Sequence, residues 1–238
     1  MTTASTPGTG ELNLLCAGAV KGLVLAVQGD FERAAGVRLH ATFGAVGAMR
    51  DALRAGVPCD VFIATEAMIA SLQASAELRA GSARAIGTVR TAVAIKDTAP
   101  RPALDSPDAL RAALLASSAL YIPDATLSTA GAHVTSVLAR LGIGAAMASR
   151  LRMFANGATA MRELAGADDS AIGCTQATEI RYTPGLALVG ALPPPLALAT
   201  VYGAAIGAAT RDEDKARRLI DLLAGESNAD LRRRGGFD

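Results

Sequence analysis

Short apolar runs with strand character alternate with helix-patterned segments along the chain, and most runs end in a small-residue turn. Leu12–Ala17 (LNLLCA) has the pattern of a buried strand. A Gly-Ala turn follows, then a helix pattern over Gly22–Ala35 in which Leu23, Val24, Val27 and Phe31 recur at helical spacing. Gly36 is placed to stop that helix. Val37–Phe43 alternates apolar and polar residues as a second strand, and Ala48–Ala55 reads as a helix closed by Gly56. Cys59–Ala64 is a third strand pattern, and a third helix starts at Glu66–Leu72. Such alternation dictates βαβ units and a mostly parallel sheet flanked by helices.

A second block of the same kind begins near Ile86. Val89–Lys96 reads as a strand, and Ser106–Ala116 as a helix capped by Ser106 with Pro107 in its first position. Ala119–Ile122 is a strand pattern, and Thr129–Leu141 is a helix pattern closed by Gly142. Thr159–Ala165 is a short helix pattern, followed by strand patterns at Ala171–Thr175 and Leu186–Val189. The triple proline Pro193–Pro195 marks an exposed connection, after which Ala199–Ala208 returns as a strand. Asp212–Ala224 is an amphipathic helix with Ala216, Leu219, Ile220 and Leu223 on one face, and the tail DLRRRGGFD reads as a solvated helix end. The two blocks predict two α/β lobes, 1–87 with 203–238 and 88–202.

Sheets of this type place ligands where strands end and helices begin. Five loops meet that condition. They hold Gly18, Ala19 and Val20 in Ala17–Val20; Gly44, Ala45, Val46 and Gly47 in the second; and Thr65 in Ala64–Glu66. In the second block they hold Ser128 and Thr129 in Asp124–Gly131, and Gln176 in Cys174–Gln176. Their presence in both halves predicts a ligand held between lobes. The loop FGAVGAM has two glycines spaced to present backbone N–H groups to an anion, yet it contains no Ser, Thr or Lys.

Composition narrows the functional classes. The chain is 51% hydrophobic and 19% charged, as globular proteins are, and a net charge of +1 gives no bulk attraction to nucleic acid or anionic membrane. With five Phe, three Tyr and no Trp, stacking platforms for bases are not expected. Two histidines and three cysteines without ligand spacing give little to a metal site or a Ser-His-Asp triad. No cofactor or metal is expected. No run reaches the roughly 18–20 apolar residues of a membrane span. The N-terminal stretch MTTASTPGTGELN carries no basic residue and no apolar core before Leu12. As written it reads as cytoplasmic; removal of a signal would make the protein periplasmic.

The order of these motifs resembles the molybdate-type substrate-binding proteins, which have the type II periplasmic-binding-protein fold: two lobes with a ligand cleft between them. The likeness covers nearly the whole chain. It rests on the GxPxDVFI-like segment around Gly56, Pro58 and Asp60–Ile63, on the F-G-x-x-G loop, and on YIPDATLSTAG, LARLGI and AIGCTQATEI. In such binders two serine hydroxyls and backbone N–H groups hold a tetrahedral oxyanion. The matching positions here are Ala19 and Val46, and Thr175 and Gln176 stand around the place of a frequent ligand tyrosine. Losing two charge-assisted hydrogen bonds of about 1.5–3 kcal/mol each disfavours molybdate or tungstate. Apolar walls suit an organic acid, whose carbon gains about 25 cal/mol per Å² on burial. The aconitate isomerases, a branch similar in loop order, imply such a ligand and a cofactor-free proton transfer.

The candidate side chains each have two readings. Arg90, at the expected crossing between lobes, is either a bidentate carboxylate ligand or a surface arginine paired across the hinge. Ser128 and Thr129 donate to an anion or cap a helix; Gln176 presents its amide to the cleft or is an ordinary strand-end residue. Tyr202 reads as core, Cys174 as a buried small residue, and Glu66 and Glu179 as exposed helix-start residues favoured by the dipole. The leading expectation is a two-lobed clamp for a small organic di- or tricarboxylate, hinged near Gly87–Arg90 and Ala199–Gly203. If secreted, its partner is an ABC-transporter permease. The alternatives are an isomerase of an unsaturated carboxylate, with Glu66, Glu179, Cys174 and His133 as candidate bases, and a molybdate or tungstate carrier. A ligand-sensing regulator lacks a DNA-binding segment.

Overall fold

The computed structural model describes residues 10–238, so most of the polar N-terminal stretch lies outside the described residues. The first block forms β1 (Gly10–Ala17), a 3-10 turn at Gly18–Val20, α1 (Lys21–Ala35), β2 (Val37–Gly44), α2 (Val46–Arg54), β3 (Val61–Thr65) and α3 (Glu66–Ala74). Leu23, Val24, Val27 and Phe31 of α1 are all buried, and the helix stops at Gly36, whose φ of +63° is a left-handed geometry that glycine adopts without strain.

β4 (Arg84–Lys96) leads into α4 (Pro107–Ala116), β5 (Leu120–Pro123), α5 (Thr129–Arg140), α6 (Gly144–Met147), β6 (Leu151–Phe154) and α7 (Gly157–Ala165). Then come β7 (Ile172–Gln176), α8 (Ala177–Arg181), β8 (Leu186–Ala191), β9 (Ala199–Ile206), α9 (Glu213–Ala224) and α10 (Ala229–Gly235). Ser106 caps α4 by accepting from the Ala109 N–H at 3.1 Å, with Pro107 in the first turn.

The strands run in the order β2-β1-β3-β9-β4-β7-β5-β6, with β8 also paired to β4. Pairing is parallel where β1 meets β2 and β3, and where β5 meets β6 and β7. It is antiparallel at β3–β9, β9–β4, β4–β7 and β4–β8, the strands that join the two halves. β4 is the crossing element. Its first part, Arg84–Arg90, pairs with β9 from Ala204 to Ala199, and Thr91 onward pairs with β7 and β8. One apolar core lies against β1–β3 and β9 and continues past Ala92 and Ala94 of β4 to Met161, Leu164 and Ile180, and a second joins Val93 and Ile95 of β4 to Leu110, Ile122, Val134 and Ile172. Among the described residues no helix is long and apolar enough to cross a membrane.

The structure differs from the expectation in several elements. β4 starts at Arg84, five residues earlier than its apolar pattern, because its first part includes the exposed Arg84 and Ala85 and the half-buried Gly87. β6 is an outer strand with Arg152 and Met153 exposed, so no alternation announces it. α8 follows β7 directly with no capping side chain. The tail forms α10, and beyond it Phe237 is buried against Gly87 of β4 rather than solvated.

Candidate functional site

The register of β1 on β2 sets Ala17 beside Gly44, so the turns after both strands emerge together. Gly47, in the first turn of α2, reaches the other half: its N–H donates to the Leu127 carbonyl at 2.9 Å. A Cβ at Gly47 would stand 3.1 Å from Leu127 Cα and carbonyl oxygen, so only glycine allows this approach without displacement. The Leu127 loop is itself built around Asp124. That carboxylate accepts from the Thr126 N–H at 2.7 Å, the Thr126 hydroxyl at 2.6 Å and the Leu127 N–H at 2.9 Å. These bonds, the Thr126 hydroxyl foremost, hold the Asp124 carboxyl below the usual range.

Beside this contact lies a cavity of about 430 Å³ lined by Val46, Gly47, Arg50, Arg54, Thr65, Met68, Ser71, Thr126, Leu127, Ser128 and Thr129, among others. Five expected site residues meet there: Val46, Gly47, Thr65, Ser128 and Thr129. Ser128 Oγ accepts from Gly131 N–H at 3.4 Å and Thr65 Oγ1 from Met68 N–H at 3.3 Å. Both hydroxyls cap helices with a lone pair and keep their O–H to donate. The two arginines were not among the sequence candidates. They follow Val46 at intervals of four, Val46–Arg50–Arg54, so one face of α2 carries all three, and that spacing was readable. Arg50 also pairs with Asp51, and Arg54 with Glu77 at 3.0 Å.

Deeper in, the polar residues of β7 and α8 form a second cluster. Glu179 is buried, which corrects the expectation of an exposed helix-start residue. Its Oε2 accepts from the Thr175 hydroxyl at 2.6 Å, and the backbone N–H groups of Gln176 and Ala158 face the same carboxyl. Burial pushes its pKa above the usual carboxylate value, opposed by those three groups. The carboxyl faces the turn after β1: a Cβ on Gly18 would lie 2.6 Å from Glu179 Oε1, and one on Gly157 would overlap Glu179 Oε2 and Thr175 Oγ1. Tyr202 is buried on β9 beside Gln176 and Glu179, and burial raises its phenol first of all. Gln176 is buried too, with its amide toward the Tyr202 phenol, yet neither Nε2 nor Oε1 makes a hydrogen bond of normal geometry.

The remaining candidates are placed elsewhere. Arg90 is exposed and its Nε donates to Asp238 Oδ2 at 2.6 Å; it lines a pocket with Arg181, Arg233 and Phe237, apart from the glycine loops. This is the hinge-pairing reading of that residue. Ala19 is buried and borders a cavity of about 290 Å³ with Gly22, Leu23 and Tyr182. Val20, Gly44 and Ala45 are buried at the strand ends. Burial pushes the Cys174 thiol up to about 12, so no reactive thiolate forms there, and His133 Nε2 lies 2.8 Å from the Leu196 carbonyl in the second half. Glu66 is exposed at the start of α3, as expected.

Comparison with known proteins gives this arrangement its family. Residues 12–238 match the bacterial extracellular solute-binding proteins, and the chain belongs to that family. An aconitate isomerase from Pseudomonas sp is 25% identical over 224 residues, covering 92% of this chain and 84% of the relative. The periplasmic molybdate-binding protein of Azotobacter vinelandii superposes with a TM-score of 0.76 at 18% identity, covering 95% of this chain and 98% of its own. The sulfate-binding protein SubI of Mycobacterium tuberculosis gives 0.73 at 15% identity, covering 96% and 86%. At these identities the two structures establish the type II periplasmic-binding-protein fold.

Proposed function

We propose that this chain binds a small organic di- or tricarboxylate between two lobes, 1–87 with 203–238 and 88–202. The observation that carries the reading is the cavity beside the Gly47–Leu127 contact. It combines the guanidinium groups of Arg50 and Arg54, the free O–H groups of Thr65, Ser128 and Thr129, and the apolar walls of Val46, Met68 and Leu127. Guanidinium groups bind carboxylates with charge-assisted hydrogen bonds, and the apolar walls favour the ligand's carbon. Arg90 is replaced in this role by Arg50 and Arg54. The proposed partner, for an exported chain, is an ABC-transporter permease.

The test is a thermal-shift series with citrate, cis- and trans-aconitate, succinate, sulfate and molybdate. A carboxylate at 100 times its dissociation constant adds about 2.7 kcal/mol, a rise of about 5–10 °C for a chain of this size. No rise with any di- or tricarboxylate refutes the reading.

A second reading, a cofactor-free isomerase of an unsaturated carboxylate, is favoured by one observation. Glu179 is a buried carboxyl whose pKa burial raises, so it holds a proton more readily than an exposed carboxylate does, as a general base must. Its test is deuterium incorporation from D2O into whichever unsaturated acid binds; an acid that binds and exchanges no proton excludes it.

A further inference from the structure

We infer that Glu179 fills an oxyanion seat with its own carboxyl group, so that the chain refuses small inorganic oxyanions and takes its ligand in the outer cavity lined by Arg50 and Ser128. The inference rests on the carboxylate reading above only for the identity of that outer ligand.

One hydrogen bond defines the seat, from the Thr175 hydroxyl at 2.6 Å, and the backbone N–H groups of Ala158 and Gln176 face the same carboxyl. Ala158 stands in the first turn of α7, where the amides have no partner within their own helix and the dipole favours negative charge. All three groups are directed at one carboxyl group, as they would be at a free oxyanion. The walls are shaped to admit it: at Gly157 a Cβ would overlap the carboxyl and at Gly18 it would crowd it, so bare backbone lines the seat from both halves of the molecule. A second oxyanion brought here would find its donors engaged and a carboxyl group in its place.

An independent feature lies alongside. The Gln176 residue is 2% exposed, and its amide lies toward the Tyr202 phenol without a hydrogen bond of normal geometry from either amide atom. Buried amides are almost always bonded. Even with the Tyr202 phenol serving one amide atom, the other stays open next to the filled seat and marks a place where a further polar group, from a ligand or water, is accommodated beside Glu179 and not in its stead.

The experiment is truncation with chemical rescue. Glu179→Ala removes the carboxyl and leaves the seat open, and Glu179→Gln keeps it filled with a neutral group of the same shape. Melting temperatures and calorimetric titrations are recorded for the wild type and both variants with sodium formate, sulfate, molybdate and, as an ionic-strength control, chloride. The expected result is that formate or sulfate stabilises Glu179→Ala above chloride, with a dissociation constant at least ~tenfold below that of the wild type. The wild type and Glu179→Gln respond alike to all four salts. If Glu179→Ala does not fold in buffer, formate is expected to restore its circular-dichroism spectrum where chloride does not.

Two results overturn the inference: stabilisation of the wild type by sulfate or molybdate equal to that of Glu179→Ala, or no response of Glu179→Ala to formate and sulfate beyond chloride. Neither depends on the di- and tricarboxylate series. That series fails on the wild type alone, so the two failures are told apart.

Discussion

An enclosed carboxyl group is costly unless its surroundings are built for it, and the residues around Glu179 show that construction. Gly157 is the most exacting of them. Gly157→Ala drives a methyl group into Glu179 and Thr175 and is predicted to cost about 1–3 kcal/mol in urea unfolding, the range for overpacking. In a Glu179→Ala background the same change should cost less, leaving the part due to Thr175; equal costs in both backgrounds would place the strain elsewhere. The titration of Glu179 gives a second prediction. Because burial raises its folded-state pKa above the ordinary 4.5, its contribution to stability is complete below that pH and is lost as pH rises through the raised value. Glu179→Gln has no such loss, so its melting temperature relative to the wild type should climb as pH is raised from about 4.5; a flat difference contradicts the assignment. In the sequence, Glu179 looked like any acidic residue at a helix start. Only the immediate turn from β7 into α8 aims it inward, and that turn has no signature because no side chain caps it.

At the scale of elements, the strand-end loops were legible and the pairings between them were not. Val46, Gly47, Ser128 and Thr129 stand out because glycine spacing and an N-cap serine report on a helix start directly. Arg90 did not resolve, because its partner Asp238 lies 148 residues away and no local pattern announces such a pair. β6 and the first part of β4 were missed for a related reason: exposed strand residues carry no alternation, and only their partners define them. The loop before α5 gives a prediction at this scale. Asp124→Ala removes the acceptor that gathers Thr126 and Leu127, so it should loosen the Gly47–Leu127 contact and weaken ligand binding while leaving the two cores intact. Unchanged affinity in calorimetry would show that the loop holds its shape without Asp124. A third carboxylate, Asp60, accepts from the Asn13 N–H at 2.7 Å and the Thr210 hydroxyl at 2.6 Å, joining β1 to the segment before α9. Asp60→Ala is expected to lower unfolding stability by about 1–3 kcal/mol, as the loss of hydrogen bonds to a half-buried carboxylate does, with no effect on ligand preference.

For the whole molecule, the chain crosses between its halves on β4 and β9, and the contact between Gly47 and Leu127 lies beside the cavity. In the proposed function a ligand joins the two halves through α2 on one side and the α5 turn on the other. The alternation of strands and helices made this architecture readable from the sequence, since βαβ order fixes where loops gather. The proposed ligand position was less readable, because it depends on which face of α2 carries Arg50 and Arg54. The most direct test is a calorimetric titration of the wild type and of Arg50→Ala/Arg54→Ala with a tricarboxylate such as citrate or trans-aconitate, with molybdate as the comparison. The proposed function requires one-to-one carboxylate binding in the wild type, weakened by at least ~tenfold when the two guanidinium groups are removed, and no molybdate binding. Tight molybdate binding with silent carboxylates, or carboxylate binding indifferent to both arginines, would contradict it.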